Sequence, residues 1–114
     1  MRILDSRDLL EELKELEESL EFFIEEGGKE EDFEDLDRID ALKCLQEEIG
    51  EEDFEFGATL IPENDFEEYA QEFAEDVYDI PDTFAFYIDW EKFANDMQMD
   101  YSSTEFDGET YWWR

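Results

Sequence analysis

Apolar residues recur at three- and four-residue steps through the first fifty positions, which is the spacing of amphipathic helices. This pattern predicts a first helix over about residues 6–26, capped by Asp5 or Ser6, and a second over about 32–49. Glycines follow both segments, and a glycine just past a periodic run is typical of a helix end. The short link between the two predicts an antiparallel helical hairpin.

The pattern changes after residue 50. Apolar and polar residues alternate over 54–61, which predicts a strand that ends at Pro62. A third helix is predicted to begin after Asn64, because Glu67 stands three residues later at the spacing of a capping box. A short helix at 81–86 and a fourth helix capped by Asp89 follow. The predicted buried face of the third helix consists of Phe66, Tyr69, Ala70, Phe73, Ala74 and Val77.

The C-terminal residues predict a β-hairpin with Asp107-Gly108 at its turn, because both central residues of such a turn need a positive φ. In this register Phe106 faces Glu109, and Thr104 faces Tyr111. The predicted fold class is α+β. It comprises an N-terminal helical hairpin over residues 1–50, followed over 51–114 by a small α/β module with helices and the C-terminal hairpin.

Composition adds an unusual charge to this fold. The 114 residues include 39 Asp and Glu, 8 Lys and Arg and no His, for a formal net charge of −31. Hydrophobic residues make up 41% and aromatic residues 17% of the chain, which favours a folded domain over an acidic disordered tail. Binding to nucleic acid or to an anionic membrane would be strongly repulsive.

Residues with catalytic or metal-binding chemistry are scarce. There is no His to act as a base near neutral pH, and Cys44 is a lone cysteine that its apolar neighbours predict to be a buried thiol. The acidic run 35–40 lacks the central glycine of a calcium loop and has Arg38 and Ile39 at ligand positions. We therefore expect no enzyme, no catalytic residues, no cofactor and no metal site. A calcium-dependent regulator remains a minor alternative.

Targeting signals are not recognisable in the chain. No apolar run approaches the roughly 20 residues of a membrane span, and the first residues lack the apolar core of a signal peptide. A cytoplasmic protein, in the host bacterial cell if the resemblance described below holds, is therefore expected.

The distribution of charge is more informative than any single acidic pair. Between Lys43 and Lys92 there is no basic residue, whereas residues 44–91 contain 17 acidic ones. The excess of 31 charges equals the phosphate charge of about 15 base pairs of DNA. A folded acidic surface of this kind suits a basic DNA-binding groove and would associate with it quickly through electrostatic steering.

Candidate contact residues for such a partner are one aromatic residue and a set of carboxylates. Trp113 is a candidate interface aromatic, because it and Trp112 point to opposite faces of a strand, so that one of them is expected at a dimer or target interface. The candidate carboxylates act as a set in which no single member dominates; they are Glu67, Glu68, Glu72, Glu75, Asp76, Asp79, Asp82, Asp89 and Asp96.

The C-terminal half resembles the ArdA family of antirestriction proteins. The run YIDWEKFANDM at 87–97, followed by an aromatic hairpin, is the most specific part of this resemblance. The similarity is strongest over residues 62–114 and weak over 6–50. Its other segments are residues 65–70, 73–74, 80–82, 99–101 and 107–108.

The resemblance implies a function and a partner. Members of the family are acidic DNA mimics, carried by phages and mobile elements, that occupy the DNA-binding groove of Type I restriction–modification enzymes and typically form dimers. A homodimer is therefore an expected assembly. This chain is shorter than the family pattern and lacks a counterpart of its β-rich first domain, so the target is open. The alternatives are an anti-CRISPR mimic that blocks DNA binding by a CRISPR effector, and an acidic binding module for a basic host protein.

Overall fold

The computed structural model describes residues 2–114. Its strands form one small antiparallel sheet, so the predicted α+β class is confirmed. From one edge of the sheet to the other, they are Leu4–Asp5, Thr59–Pro62, Glu109–Trp113 and Ser102–Phe106. Two short 3-10 turns lie at Glu30–Asp32 and Glu63–Asp65. The elements are β1 (Leu4–Asp5), α1 (Ser6–Glu25), α2 (Leu36–Ile49), α3 (Glu51–Phe56), β2 (Thr59–Pro62), α4 (Phe66–Tyr78), α5 (Asp82–Ala85), α6 (Trp90–Gln98), β3 (Ser102–Phe106) and β4 (Glu109–Trp113).

Backbone contacts divide the chain into two compact units. The helical unit is Leu4–Thr59, and the sheet unit is Leu60–Arg114 together with residues 2–3. The helix α3 belongs to the helical unit. Independent domains over residues 1–50 and 51–114 remain a prediction.

In the helical unit, the start of α1 matches the prediction and the start of α2 does not. Asp5 caps α1 by accepting a hydrogen bond from the Arg7 N–H at 2.9 Å, which confirms the predicted start. The helix α2 begins at Leu36, later than predicted, because the chain is extended at Phe33 (φ −70°, ψ 126°). There the Phe33 ring packs on Phe23, with ring centroids 5.5 Å apart. Gly50 ends α2 with a φ of 102°, which only glycine adopts readily.

The predicted strand over 54–61 is wrong in its first half. Phe54 and Phe56 lie in α3, and β2 begins only at Thr59. Phe54 is fully buried, whereas Phe56 is 87% exposed. The alternation of apolar and polar residues therefore does not place Phe54 and Phe56 on one face of a sheet, as the strand prediction requires.

Cys44 is exposed, contrary to the prediction of a buried thiol. The buried stripe of α2 consists of Ile39, Leu42, Leu45 and Ile49. Cys44 falls between two positions of this stripe, on the solvent side of the helix. Its apolar neighbours in sequence are therefore not its neighbours around the helix.

In the sheet unit, β3 and β4 form the predicted hairpin. Thr104 pairs with Tyr111 and Phe106 with Glu109, as expected. The two turn residues, Asp107 and Gly108, have φ values of 54° and 76°. These are the positive values that a two-residue hairpin turn requires.

The core of the sheet unit is centred on Phe66. Its ring meets the Tyr101 ring edge-on at 5.2 Å and the Trp112 ring at 6.3 Å between centroids. Ile61, Ala70 and Ala94 complete the buried cluster and pack α4 and α6 together. Burial raises the pKa of Tyr101 to about 12, since the phenolate is disfavoured away from water.

The capping-box prediction for α4 is wrong, and its predicted buried face is correct except at Phe73 and Val77. Its N-cap is Asp65, and no side chain caps it, because a 3-10 turn occupies 63–65 where Asn64 was expected to cap. Its buried line is Phe66, Ala70 and Ala74, spaced by four residues. The small residues of this line allow close packing of α6, and the next positions round the helix, Phe73 and Val77, stay exposed.

The following helices keep closer to prediction. Asp89 caps α6 as expected, by accepting a hydrogen bond from the Lys92 N–H at 3.1 Å. The short helix α5 has Pro81 as its N-cap rather than within its first turn. The Trp90 Nε1–H donates to the Ala85 carbonyl at 3.2 Å and so ties α5 to the start of α6.

Candidate partner-binding surface

Side-chain chemistry within residues 2–114 offers no metal centre: no group of three or more Cys, Asp and Glu is placed to hold an ion. The acidic run 35–40 that was compared with a calcium loop lies almost wholly inside α2. None of the helices in this part of the chain has both the length and the apolar character required to cross a bilayer.

All nine candidate carboxylates are exposed and belong to the sheet unit. Glu67, Glu68, Glu72, Glu75 and Asp76 lie on α4. Asp79 ends that helix in a left-handed conformation with a φ of 48°, and Asp82 opens α5. Asp89 is the N-cap of α6, and Asp96 lies within that helix. The structure thus brings these residues onto three successive helices of one unit.

The mean density of carboxylates along the axis of α4 is close to the density of phosphates along one DNA strand. Its 13 residues span about 20 Å at 1.5 Å per residue. Five acidic side chains over that length give about one charge per 4 Å, compared with 3.4 Å per phosphate along one DNA strand. A rigid helix can therefore present charge at a density that a basic groove is built to accept.

Internal ion pairs involve other acidic residues. Within residues 2–114, Arg2 pairs with Glu109 at 2.9 Å, Arg7 with Asp5 at 2.6 Å, and Arg38 with Glu12 at 2.9 Å. The Arg7 guanidinium holds the pKa of the Asp5 carboxyl below its usual value, chiefly by hydrogen bonding to it. Because the chain has 8 basic residues for 39 acidic ones, most carboxylates are left to face water whatever the pairing.

The candidate carboxylates all lie in the sheet unit, but the helical unit carries the larger charge. Leu4–Thr59 contains 23 acidic and 5 basic residues, a net charge of −18. Residues 2–3 and 60–114 contain 16 acidic and 3 basic ones, a net charge of −13. A charge count over the predicted domains 1–50 and 51–114 gives −13 and −18, so the larger charge of the helical unit follows only from the boundary at Thr59. The acidic surface of this unit includes the exposed Glu11, Glu15, Glu17, Glu18, Glu21 and Glu25 of α1.

Trp113 is half-buried, whereas Trp112 packs into the core of the sheet unit. The role of Trp113 at an interface remains a prediction.

A larger set of apolar side chains is exposed, which the sequence did not predict. The apolar surface, as we call this set, is exposed within one 15-residue stretch of the sheet unit and consists of Phe73, Val77, Tyr78, Phe84, Phe86 and Tyr87.

Comparison with known proteins identifies a family. The profile of the antirestriction protein (ArdA) family matches residues 2–111. The match includes the helical first half, where the resemblance seen in the sequence was weak. Neither a curated protein nor a solved structure matches the chain.

Proposed function

The chain belongs to the ArdA family of antirestriction proteins, and on that premise we propose that it acts as a DNA mimic. Family membership makes it an inhibitor of Type I restriction enzymes. The proposal adds the mechanism: exposed carboxylates take the place of phosphates in the basic DNA-binding groove of the enzyme. The observation that carries it is the set of five exposed carboxylates on α4, a helix that contains no basic residue.

This mechanism needs no chemical step. The carboxylates occupy the positions of phosphates, so the enzyme's Lys and Arg side chains are satisfied and DNA is excluded. Because the attraction is electrostatic, association is fast and affinity falls as salt rises. A rigid helix loses little conformational entropy on docking, which favours a folded mimic over a flexible acidic tail.

The helical unit carries an acidic surface of its own. Its net charge of −18 exceeds that of the sheet unit, and its acidic side chains on α1 face water. The proposed contact set therefore includes α1 as well as α4. The nine carboxylates named from sequence form one part of it.

The test is displacement of a labelled DNA duplex from a purified Type I restriction complex. In one variant Glu68, Glu72 and Glu75 are changed to Gln and Asp76 to Asn. These changes remove four charges from α4 and should raise the inhibitory concentration at least tenfold. They should also flatten its salt dependence. The matched variant changes Glu11, Glu15, Glu18 and Glu21 of α1 to Gln and measures the share of the helical unit.

Three results would contradict the proposal. Failure of micromolar protein to displace DNA from the Type I complex would refute mimicry of its substrate. Displacement from a CRISPR effector alone would move the mimicry to that target. Recovery from host lysate of a small basic protein, with no restriction or CRISPR assembly, would favour the binding-module alternative.

A second copy of the chain is the proposed occupant of the apolar surface. Phe86 is 92% and Tyr87 84% exposed, and an aromatic side chain presents about 150–250 Å². The six side chains therefore offer on the order of 600–800 Å². That sum is close to the roughly 800 Å² that each partner contributes to a standard interface. Substitution of Phe86 and Tyr87 by Ser should yield a monomer by sedimentation, whereas a dimer of unchanged strength would place the interface elsewhere.

A further inference from the structure

A cleft opens in the sheet unit between α4, α5 and the start of α6. Its volume is about 440 Å³, within the range of about 300–1,000 Å³ that is usual for ligand sites. We call it the aromatic cleft, and its lining residues are Gln71, Asp82, Ala85, Phe86, Ile88 and Trp90. The fold thus brings side chains from separate helices around one space.

The walls of the aromatic cleft are mostly apolar. Ala85, Ile88 and Trp90 are half-buried, whereas Phe86 is largely exposed and so lies at the rim. The Trp90 Nε1–H donates to the Ala85 carbonyl at 3.2 Å, and the Trp90 ring meets the Phe93 ring edge-on at 5.8 Å between centroids. These two contacts hold the indole in one orientation at the cleft.

The polar groups of the aromatic cleft offer acceptors rather than donors. Its side-chain donor nitrogens, Trp90 Nε1 and Gln71 Nε2, both have partners, the second being a Glu75 oxygen at 3.3 Å. The acceptors are the Gln71 side-chain oxygen and the exposed Asp82 carboxylate. None of the lining residues is Lys or Arg, so the charge of the lining is that of Asp82. A complementary occupant therefore brings hydrogen-bond donors and positive charge.

We propose that the aromatic cleft receives an arginine side chain of the target restriction enzyme. A guanidinium is planar, carries five N–H donors and stacks on aromatic rings, and its aliphatic stem covers apolar surface. These properties match the Asp82 carboxylate, the Gln71 oxygen, the Trp90 and Phe86 rings and the aliphatic part of the walls. A lysine would bring the charge without the planar group, and a leucine would bring neither.

This inference rests on the proposed mimicry and adds to it a contact that DNA does not make. A phosphate binds arginine through charge and hydrogen bonds alone. The aromatic cleft also stacks on the guanidinium and excludes water from its stem. Such a short-range contact slows dissociation more than it speeds association, so it depends less on salt than the row of carboxylates on α4 does.

The direct test follows the indole N–H signal of Trp90 by NMR while N-acetylarginine amide is added at constant ionic strength. The signal should shift and saturate. N-acetyllysine amide, which has the same charge, and N-acetylleucine amide, which is apolar, should each bind at least about fivefold more weakly. No saturable shift, or equally tight binding of either control compound, would overturn the inference.

Two pairs of variants locate the contact. Gln71→Lys places a cation of the chain itself beside Asp82 and should abolish binding of the arginine probe, whereas Gln98→Lys makes the same change outside the cleft and should preserve it. Asp82→Asn should weaken probe binding about fivefold, because a charge-assisted hydrogen bond is lost. Asp100→Asn removes an exposed carboxylate elsewhere in the unit and should not. Equal effects within either pair would contradict the proposed site.

DNA displacement from the Type I complex separates this inference from the mimicry. Gln71→Lys and Gln98→Lys change the net charge equally, so the first should have an inhibitory concentration about tenfold above that of the second only if the cleft is used. Equal values, with displacement by the wild type intact, would overturn the arginine contact and leave the mimicry standing. No displacement by the wild type would overturn the mimicry, and the contact with this enzyme along with it.

Phe86 also belongs to the apolar surface, for which a second copy is the proposed occupant. Sedimentation of the same variants therefore distinguishes the two occupants of the cleft. Gln71→Lys should leave the dimer as strong as Gln98→Lys does. Loss of the dimer in Gln71→Lys alone, with unchanged DNA displacement, would assign the cleft to the second copy and overturn the inference.

Discussion

Ser6 shows how one small side chain holds a unit together. It is fully buried at the first residue of α1, although Asp5 rather than Ser6 caps that helix. Its hydroxyl donates to the Phe54 carbonyl at 2.8 Å and accepts from the Ala58 N–H at 2.6 Å. Both partners lie 48 or more residues away in sequence, so this hydroxyl links the start of α1 to the chain around α3.

Replacing Ser6 by Ala should lower the free energy of unfolding by about 1–3 kcal/mol, because the buried Ala58 N–H loses its acceptor. Urea denaturation followed by circular dichroism measures this change. Ser19→Ala is the control, since Ser19 is exposed on the same helix and its replacement should change stability by no more than about 0.5 kcal/mol. Equal losses in the two variants would mean that the buried hydroxyl has no special role.

For helices and strands, features that depend on adjacent residues were predicted correctly, whereas features that depend on tertiary packing were not. The Asp5 and Asp89 caps and the Asp107-Gly108 turn depend on a few adjacent residues, and the structure confirms them. The exposed Phe73 of α4 and the exposed Cys44 of α2 depend on which neighbour covers a face. Periodicity identifies the apolar side of a helix, but it does not show how many residues on that side are covered by another element. The candidate carboxylates were easier to place, because charge strongly favours exposure.

The helix α4 places acidic residues at both ends, and the two ends should respond differently to neutralisation. Glu67 and Glu68 lie in its first turn, where the helix dipole stabilises negative charge, whereas Glu75 and Asp76 lie near its C-terminus, where the dipole destabilises it. Glu67→Gln with Glu68→Gln should therefore leave the protein less stable than Glu75→Gln with Asp76→Asn, by about 1 kcal/mol at low salt.

Both double variants remove two charges, so the general relief of repulsion is the same in both and cancels from the difference between their free energies of unfolding. Chemical denaturation at low and high salt measures it, and the difference should shrink as salt rises, because ions screen the dipole. Identical stabilities at low salt would show that net charge alone matters on this helix.

For the whole molecule, self-repulsion dominates the electrostatics. A net charge of −31 on 114 residues costs folding free energy, and the ion pairs formed by Arg2, Arg7 and Arg38 neutralise little of it. This total could be counted from the sequence because charge is additive. The division of charge between the two units could not be counted from the sequence, because tertiary contacts set the boundary between them.

Added sodium chloride should raise the melting temperature, because screening weakens the repulsion among the carboxylates. A gain of about 1 kcal/mol corresponds to a rise of roughly 4–8 °C for a domain of about this size. Thermal unfolding at increasing salt measures the slope, and the α1 variant with four Gln substitutions should show a smaller one. A melting temperature that falls with moderate salt would indicate that the carboxylates are paired within the protein after all.

The exposed carboxylates of α4 also determine which ions surround the protein in solution. Charge at nearly the linear density of a DNA strand gathers a cloud of small cations, and a basic partner carries a matching cloud of anions. When the two surfaces meet, both clouds are set free into the solvent. Much of the driving force is then the entropy of released ions, so that the surface resembles DNA in its thermodynamics as well as in its charge.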